Sequence, residues 1–225
     1  MIDQYSLKAR VYPIIIVFLP ILILGFSISF KFESIYGYLA SISVISLLAY
    51  LFSQLGRDLG KKREKNLWKN WGGAPTSIVM HDKNYINIAT RQRYIDKLEV
   101  ICPVEDKYDM DEKIKLWTKY LISKTRDTKK FNLLFKENIS YGFRRNLLGL
   151  KPIGVAIALS ATVFNLILTT NWPLNINDIT INWVISNFLF SIFILFWFFI
   201  VTIVWVKIPA FGYAERLFET VENIN

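Results

Sequence analysis

The sequence contains one histidine and one cysteine, and these limit the metal and acid–base chemistry that the chain can perform. His81 stands directly before Asp82, a pair that occurs in metal-dependent sites and in acid–base dyads. A metal site of that kind needs further histidines, and with Cys102 as the single thiol no Cys/His metal cluster can form within one chain. We therefore predict a structural role for His81 and Asp82, no catalytic residues, no metal site and no cofactor.

Basic side chains are the second set of residues that could do chemistry. Phosphate groups reward several convergent donors, and the arginine guanidinium offers a bidentate fork, although the sequence has no glycine-rich phosphate loop. The other interpretation is electrostatic anchoring, because each Lys or Arg close to an anionic leaflet contributes about 1 kcal/mol. The candidate ligand-binding residues are Arg57, Lys61, Lys62, Arg63, Lys124, Arg126, Lys129, Lys130, Arg144 and Arg145.

A third candidate is the aromatic stretch WKNWGGAPT, which contains Trp68 and Trp71. Its indole rings could stack on a nucleic-acid base or on a lipid headgroup. The interpretation that we prefer is that these rings seat a domain against the bilayer.

Composition shows which elements must position these residues. The chain of 225 residues is 53% hydrophobic, yet it carries a formal charge of +9. Residues 56–151 hold 22 of the 27 Lys and Arg against 12 Asp and Glu, a net charge of +10. Apolar runs of membrane length flank this segment on both sides. We predict an all-α membrane protein with a mostly helical, basic cytosolic domain inserted between two transmembrane hairpins.

The predicted hairpins occupy residues 1–55 and 152–206, and an amphipathic cytosolic tail occupies residues 207–225. The four spans are predicted at residues 11–30, 35–55, 152–170 and 183–206. Small residues such as Gly37 and Ser41 in the second span, and Gly154 and Ala158 in the third, favour close helix packing and an oligomer. The short loops at 31–34 and 171–182 contain one Lys and no Arg, so both termini and residues 56–151 are expected in the cytoplasm.

Local patterns predict helices in the basic domain. The second span should continue as a helix to Trp71, where Gly72 and Gly73 can end it. Residues 77–80 suggest a short strand, and Thr90 suggests a helix N-cap.

Two further helices and the tail complete these local predictions. Trp117 is central to an amphipathic helix that starts near Asp111, and Asp127 can cap the helix that leads to the third span. In the tail we expect a break at Pro209, followed by a helix with an apolar face. We prefer packing of this face within the same chain, and the alternatives are the bilayer surface or a second subunit.

Two stretches resemble a set of bacterial four-span inner-membrane proteins: QLGRDLGKKREKNLWKNWGGAPT after the second span, and TRDTKKFNLLFKENISYGFRRNLLGLKP before the third. The similarity covers roughly residues 54–154. It implies a bacterial inner-membrane origin and a shared cytosolic domain, and it supplies no catalytic residues. By architecture alone, the chain resembles the membrane effectors of bacterial anti-phage systems.

These patterns lead to one functional hypothesis and two alternatives. The leading hypothesis is an oligomeric membrane effector or channel-like protein whose basic domain senses a nucleotide, an oligonucleotide or a partner protein. The alternatives are a lipid-binding or lipid-modifying enzyme that contacts anionic headgroups at the inner leaflet, and a membrane scaffold. Secondary transport is disfavoured, because no charged residue interrupts a predicted span.

Overall fold

The computed structural model describes residues 3–27, 35–169 and 181–224, without the side chains of residues 26, 27, 35–49, 168 and 169. The regular structure in these ranges is entirely helical, which confirms the predicted all-α class. The chain forms two compact units. We name them the hydrophobic unit (Met1–Arg63 and Phe143–Trp205) and the polar unit (Glu64–Gly142 and Val206–Asn225).

The described residues form a series of helices. They are α1 (Gln4–Ser6), a π-helix π1 (Leu7–Val11), α2 (Tyr12–Ser27), α3 (Ile35–Trp71), α4 (Pro75–His81), α5 (Ile88–Ile101), α6 (Met110–Lys124), α7 (Asn132–Thr169), α8 (Ile181–Leu195), a second π-helix π2 (Phe196–Ile200), α9 (Ile203–Glu219) and a 3-10 turn (Thr220–Asn223). The domain boundaries predicted at residues 55–56, 151–152 and 206–207 therefore fall inside α3, α7 and α9.

Three helices in the described part of the chain are long and apolar enough to cross a membrane, namely Gln4–Gly25, Asn132–Ile167 and Ile181–Ile200. They correspond to the first, third and fourth predicted spans. The second predicted span, residues 35–55, is helical in backbone, but most of its side chains, including Gly37 and Ser41, lie outside the described set. Four spans thus remain a prediction.

The first apolar helix is shaped by Pro13, which lies well inside a helix that begins at Gln4. Proline has no N–H and its ring crowds the preceding turn, so a helix must widen or bend there. The wider turn is π1, in which the Tyr12 N–H bonds the Leu7 carbonyl. In an α-helix the Ala9 carbonyl would need the N–H of residue 13. The Asn146 side chain donates to that carbonyl instead, at 2.8 Å.

Glycines bring α3 and α7 together in the hydrophobic unit. A Cβ added at Gly149 would lie 2.6 Å from the backbone nitrogen of Gly60, and one added at Gly60 would lie 2.6 Å from Oδ1 of Asn146. A Cβ at Gly56 would lie 2.8 Å from Leu150. Gly56 and Gly60 form a G-x-x-x-G pattern, the spacing that lets two helix backbones approach closely. The predicted interior position of the small residues in the third span is confirmed at Ala158, which is fully buried.

The helix of the fourth predicted span ends earlier than predicted. The break in the chain lies after this helix and not at Pro209. The helix stops at Val201, where ψ is 80°, and α9 starts at Ile203 with its Trp205 N–H bonded to the Thr202 hydroxyl at 3.3 Å. The predicted break at Pro209 is wrong, because Pro209 lies inside α9. Proline is tolerated there since another group, described below, bonds the carbonyl that it leaves without a partner.

The core of the polar unit is built from α5, α6 and α9. Leu98, Trp117, Leu121, Leu217 and Phe218 are fully buried. Burial of each such side chain contributes about 1.5–3 kcal/mol. The Trp117 indole N–H also bonds the Cys102 carbonyl at 3.0 Å, which ties the α5–α6 loop to this core. The apolar face predicted for the tail is therefore confirmed as packing within the same chain.

Helix ends show where local signals decided the structure. Gly72 and Gly73 have φ of 91° and 154°, and the Gly73 N–H bonds the Trp68 carbonyl at 2.8 Å, which confirms the predicted end of α3. Asp109 caps α6 and places Asp111 in its first turn, as predicted. Asp127 accepts the N–H groups of Lys129 and Lys130 in the turn that leads into α7.

Two local predictions were wrong. The segment expected as a strand at 77–80 is part of α4, because Pro75 begins a helix in its first turn and Val79 and Met80 are buried on it. The N-cap of α5 is Asn87 instead of Thr90, and the Asn87 side chain accepts the Thr90 N–H at 2.8 Å.

Candidate anion-binding site

The turn between α6 and α7, residues 124–130, carries the most accessible group of predicted ligand-binding residues. Lys124, Arg126, Lys129 and Lys130 are all exposed. Asp127 is the one acid in the turn, so residues 124–130 have a net charge of +3. Hydrogen bonds from the Lys130 and Lys129 backbone lower the pKa of the Asp127 carboxyl. We name this group the basic turn.

The cations of the basic turn lack carboxylate partners. In the described part of the chain, none of the four takes part in an ion pair within 4.0 Å. Two of the four contact aromatic faces instead: the Lys124 ammonium lies 5.5 Å from the Tyr120 ring centroid, and that of Lys130 lies 5.3 Å from the Phe131 centroid. The turn therefore offers positive charge that an external anion can pair with.

A second predicted group lies on α3. Arg57 pairs with Asp58 at 3.1 Å, while Lys61 and Lys62 are exposed and Arg63 is half-buried. They belong to the hydrophobic unit and follow the second predicted span along α3, a position where cations would also suit an anionic leaflet. This placement fits both interpretations, anchoring and ligand binding.

The third predicted group, on α7, has bonds of its own within the hydrophobic unit. Arg144 donates from Nη1 to the Trp205 carbonyl at 2.9 Å and lies 4.8 Å from the Trp205 ring centroid. Pro209 has no N–H to donate to that carbonyl. Arg144 therefore supplies the missing donor at Trp205, as Asn146 does at Ala9. Arg145 is buried and donates to Asn146 Oδ1 at 3.4 Å. Arg144 therefore holds helix backbone in place, and Arg145 bonds the Asn146 side chain that does so at Ala9.

Lys151, a further cation of α7, supports the helix break. Its ammonium donates to the Val201 carbonyl at 2.9 Å, at the C-terminal end of π2, where a cation also suits the helix dipole. Sequence reasoning missed this role. The available signal was the spacing of Arg144 and Lys151, seven residues apart on one helix face, together with the proline four residues after Trp205.

His81, for which a structural role was predicted, contacts an acid that is distant in the sequence. Its Nε2 lies 3.2 Å from Oδ1 of Asp111 on α6, whereas Asp82 accepts the Asn84 N–H. The Ser77 hydroxyl donates to the same Asp111 oxygen at 2.5 Å, and this bond, followed by that to His81, lowers the pKa of the Asp111 carboxyl. Because Ser77 bonds the carboxylate and not the imidazole, His81 is not placed to take its proton.

A cavity of about 510 Å³ adjoins this Ser77–His81–Asp111 group and is lined also by Gly73 and Lys115. Its volume falls within the range of small-molecule sites, about 300–1,000 Å³. In the described part of the chain, no three His, Cys, Asp or Glu residues are arranged to hold a metal ion. The group links α4 to α6 through polar side chains.

The tryptophans of the WKNWGGAPT stretch have different environments. Trp71 packs edge-on against Phe211 with ring centroids 5.9 Å apart, and Phe211 in turn contacts Tyr85 at 5.1 Å. Trp71 is therefore part of the internal packing of the polar unit. Trp68 is more exposed, at 37%.

The tail contributes an ion-pair group that sequence reasoning missed. Glu222 accepts from Arg93 at 2.7 Å and from Lys97 at 2.5 Å, which links the end of the chain to α5. The signal was the i, i+4 spacing of the two cations, an arrangement that presents both on one face of α5.

Comparison with known proteins gives no relative from which a role could be transferred. No protein-family model, no curated protein and no solved structure matches this chain. The resemblance to bacterial four-span inner-membrane proteins thus rests on the two quoted stretches. What defines the chain at this point is its class: an all-helical protein with three helices suited to a membrane and a separate polar unit.

Proposed function

We propose that the protein is an oligomeric effector of the bacterial inner membrane whose polar unit is cytoplasmic and receives an anionic ligand at the basic turn. The ligand class is a nucleotide, an oligonucleotide or an acidic surface of a partner protein. Orientation follows from the excess of Lys and Arg between the predicted hairpins. An anti-phage role is an analogy of architecture and belongs to the same proposal.

The observation that supports this proposal best is the exposure of four cations without a carboxylate partner within 4.0 Å in the described part of the chain. Arg93 and Lys97, in contrast, both pair with Glu222. The Arg126 guanidinium can bind a phosphate with two parallel hydrogen bonds, which a lysine cannot do.

Binding of ATP and of short single-stranded DNA to the purified full chain in mild detergent, across a salt series, tests the proposal. Charge-assisted hydrogen bonds contribute about 1.5–3 kcal/mol. We therefore expect Arg126→Lys to weaken binding clearly although it keeps the charge. Lys119→Gln is the matched control for Lys124→Gln, because both residues are exposed on α6. Anionic liposomes are measured in parallel.

Selectivity among anions of equal charge, together with a loss in Arg126→Lys, would support a ligand site. Affinity that follows ligand charge alone, falls with salt and is equal in all single variants would leave only electrostatic anchoring to the leaflet.

Oligomerisation is a separate part of the proposal. Four spans form a thin bundle, so a conducting path would have to lie between subunits. The predicted small-residue face at Gly37 and Ser41 is the surface that we expect to pack against another copy. Native mass measurement in mild detergent should show a defined multimer, and a strictly monomeric particle would contradict the channel-like role.

A further inference from the structure

A small cavity lies beside the basic turn, between the start of α7 and the C-terminal part of α9. It has a volume of about 190 Å³ and is lined by apolar side chains and by the polar residues Lys130, Asn132, Arg216, Glu219, Thr220 and Asn223. All of these residues belong to the polar unit. The cavity thus joins one member of the basic turn to a cation of the tail that the sequence did not single out.

The charged residues that line this cavity are two cations and one carboxylate, so their net charge is positive. Lys130 has no ion pair within 4.0 Å among the described residues. Arg216 pairs with Glu219 through Nη1 at 2.6 Å. A guanidinium has five N–H donors, so this single bond leaves donors for another acceptor. The side-chain amides of Asn132 and Asn223 supply neutral donors in the same wall.

Size and chemistry narrow the ligand. The volume is below the ~300 Å³ at which sites for whole small molecules begin, so the cavity suits a single compact group. A phosphate group carries about −1.5 to −2 charges at neutral pH and several strong acceptor oxygens. Two cations and two amides are the donors that such a group needs.

We propose that this cavity binds a phosphate group, with Lys130 and Arg216 as its charged ligands and Asn132 and Asn223 as orienting donors. The inference rests on the proposed function, since it places the phosphate of the anionic ligand at one end of the basic turn. Glu219 is the opposing residue, because it competes with the phosphate for Arg216.

Because of that competition, removing a cation and removing Glu219 should change phosphate affinity in opposite directions. The full chain in mild detergent is titrated with inorganic phosphate and with pyrophosphate at constant ionic strength. Lys130→Gln and Arg216→Gln should each weaken binding by about tenfold, the lower end for a hydrogen bond between charged groups. Glu219→Gln should strengthen binding, because it frees Arg216 and removes a negative charge. Lys119→Gln, which removes the same charge outside the cavity, should leave binding unchanged.

A second experiment distinguishes a soluble phosphate from a lipid headgroup. Nanodiscs that contain phosphatidic acid are compared with nanodiscs of neutral lipid, with and without free phosphate. Saturable binding of free phosphate supports the cavity with a soluble ligand. A phosphatidic acid requirement that depends on Lys130 and Arg216 supports it with a headgroup.

Equal binding in Lys130→Gln and Lys119→Gln, or no gain in Glu219→Gln, would overturn the cavity inference. If Arg126→Lys still loses nucleotide binding in that case, the proposed function stands without this cavity. If no anion binds selectively in any variant, both fail. Melting temperatures of all variants show that each protein is folded.

Discussion

The side-chain amide of Asn146 donates a hydrogen bond to the Ala9 carbonyl at 2.8 Å, and both residues are buried. In a regular α-helix that carbonyl would accept the N–H of residue 13, which is proline. Asn146 therefore replaces a missing backbone donor in an apolar environment, where an unbonded carbonyl is costly.

A double-mutant cycle tests this replacement. Asn146→Ala should lower stability by about 1 kcal/mol, the scale of a hydrogen bond between membrane helices. In a Pro13→Ala background the new N–H can bond Ala9, so the same change should cost less. Melting temperatures in mild detergent provide the measurement. Equal losses in both backgrounds would mean that Asn146 acts through something other than this carbonyl, and Asn138→Ala on α7 is the control.

Arg144 and Trp205 form the second pair of this kind, with Pro209 as the proline. We expect Arg144→Met to destabilise the chain by about 1–3 kcal/mol, because it removes the donor to the Trp205 carbonyl. Pro209→Ala should recover part of the loss. The unfolding free energies of the parent, the two single variants and the double variant give the coupling energy between Arg144 and Pro209. A loss in nucleotide binding without any coupling to Pro209 would instead favour the ligand-binding interpretation of Arg144.

Gly149→Ala should destabilise the hydrophobic unit, because the added methyl would meet the Gly60 backbone at 2.6 Å. Overpacking of this kind costs about 1–3 kcal/mol, since backbone cannot move aside as a flexible side chain can. Gly25→Ala is the matched control, because no atom of the described residues outside its own stretch of helix lies within 4 Å of the added carbon. It should be neutral or stabilise its helix by up to about 1 kcal/mol. Similar melting temperatures for the two variants would refute the close approach of α3 and α7.

Glu215 should make stability depend on pH. Burial raises the pKa of this carboxyl above its ordinary value of 4.5, and the negative charge of Glu219 adds to the rise. A raised folded-state pKa gives stability that is present below 4.5 and is lost as pH rises through the raised value. Glu215→Gln, which stays neutral, should therefore melt higher than the parent at about pH 8 and equally at about pH 4.

Glu222→Gln is the opposite control. Hydrogen bonds from Lys97 and then Arg93 lower the pKa of Glu222, so its contribution is present above 4.5 and is lost as pH falls through the lowered value. This variant should melt lower than the parent at about pH 8. The same response in both variants would contradict the assignment of Glu215.

Topology can be tested with Cys102, the single cysteine. We expect reporters after residue 100 and at both termini to be cytoplasmic, and reporters at Glu33 and Asn177, outside the described residues, to be periplasmic. Burial raises the pKa of the Cys102 thiol, so its labelling should be slow even in opened cells, with denatured protein as the positive control. Labelling of intact spheroplasts by an impermeant thiol reagent would contradict the orientation.

Signals that act within one or two turns were readable from the sequence. The apolar runs predicted the three membrane-compatible helices, the Gly72–Gly73 pair predicted the end of α3, and Asp111 marked the start of α6. Each depends on residues that are neighbours in the chain. The strand predicted at 77–80 was wrong because local β propensity yielded to a proline-initiated helix with a buried face.

Relationships between distant residues were not readable. Pro209 was expected to end a helix, yet Arg144, 65 positions earlier, bonds the carbonyl that makes it tolerable. His81 was predicted to have a structural role, but nothing in the sequence indicated that its partner would be Asp111. In the candidate site, the density of positive charge in the sequence indicated the basic turn. It did not indicate Arg216, which lines the cavity beside the basic turn because of how α9 packs. Partner choice of this kind is a property of tertiary structure.

The indole of Trp197, fully buried in π2, packs on the backbone of Gly154 so closely that a Cβ there would overlap the ring. One helical turn further along α7 the equivalent position is Ala158, which carries a methyl group. If π2 slid along α7 by one turn, the Trp197 ring would collide with the methyl group of Ala158. The contact between the Trp197 ring and the Gly154 backbone therefore fixes the register of π2 against α7.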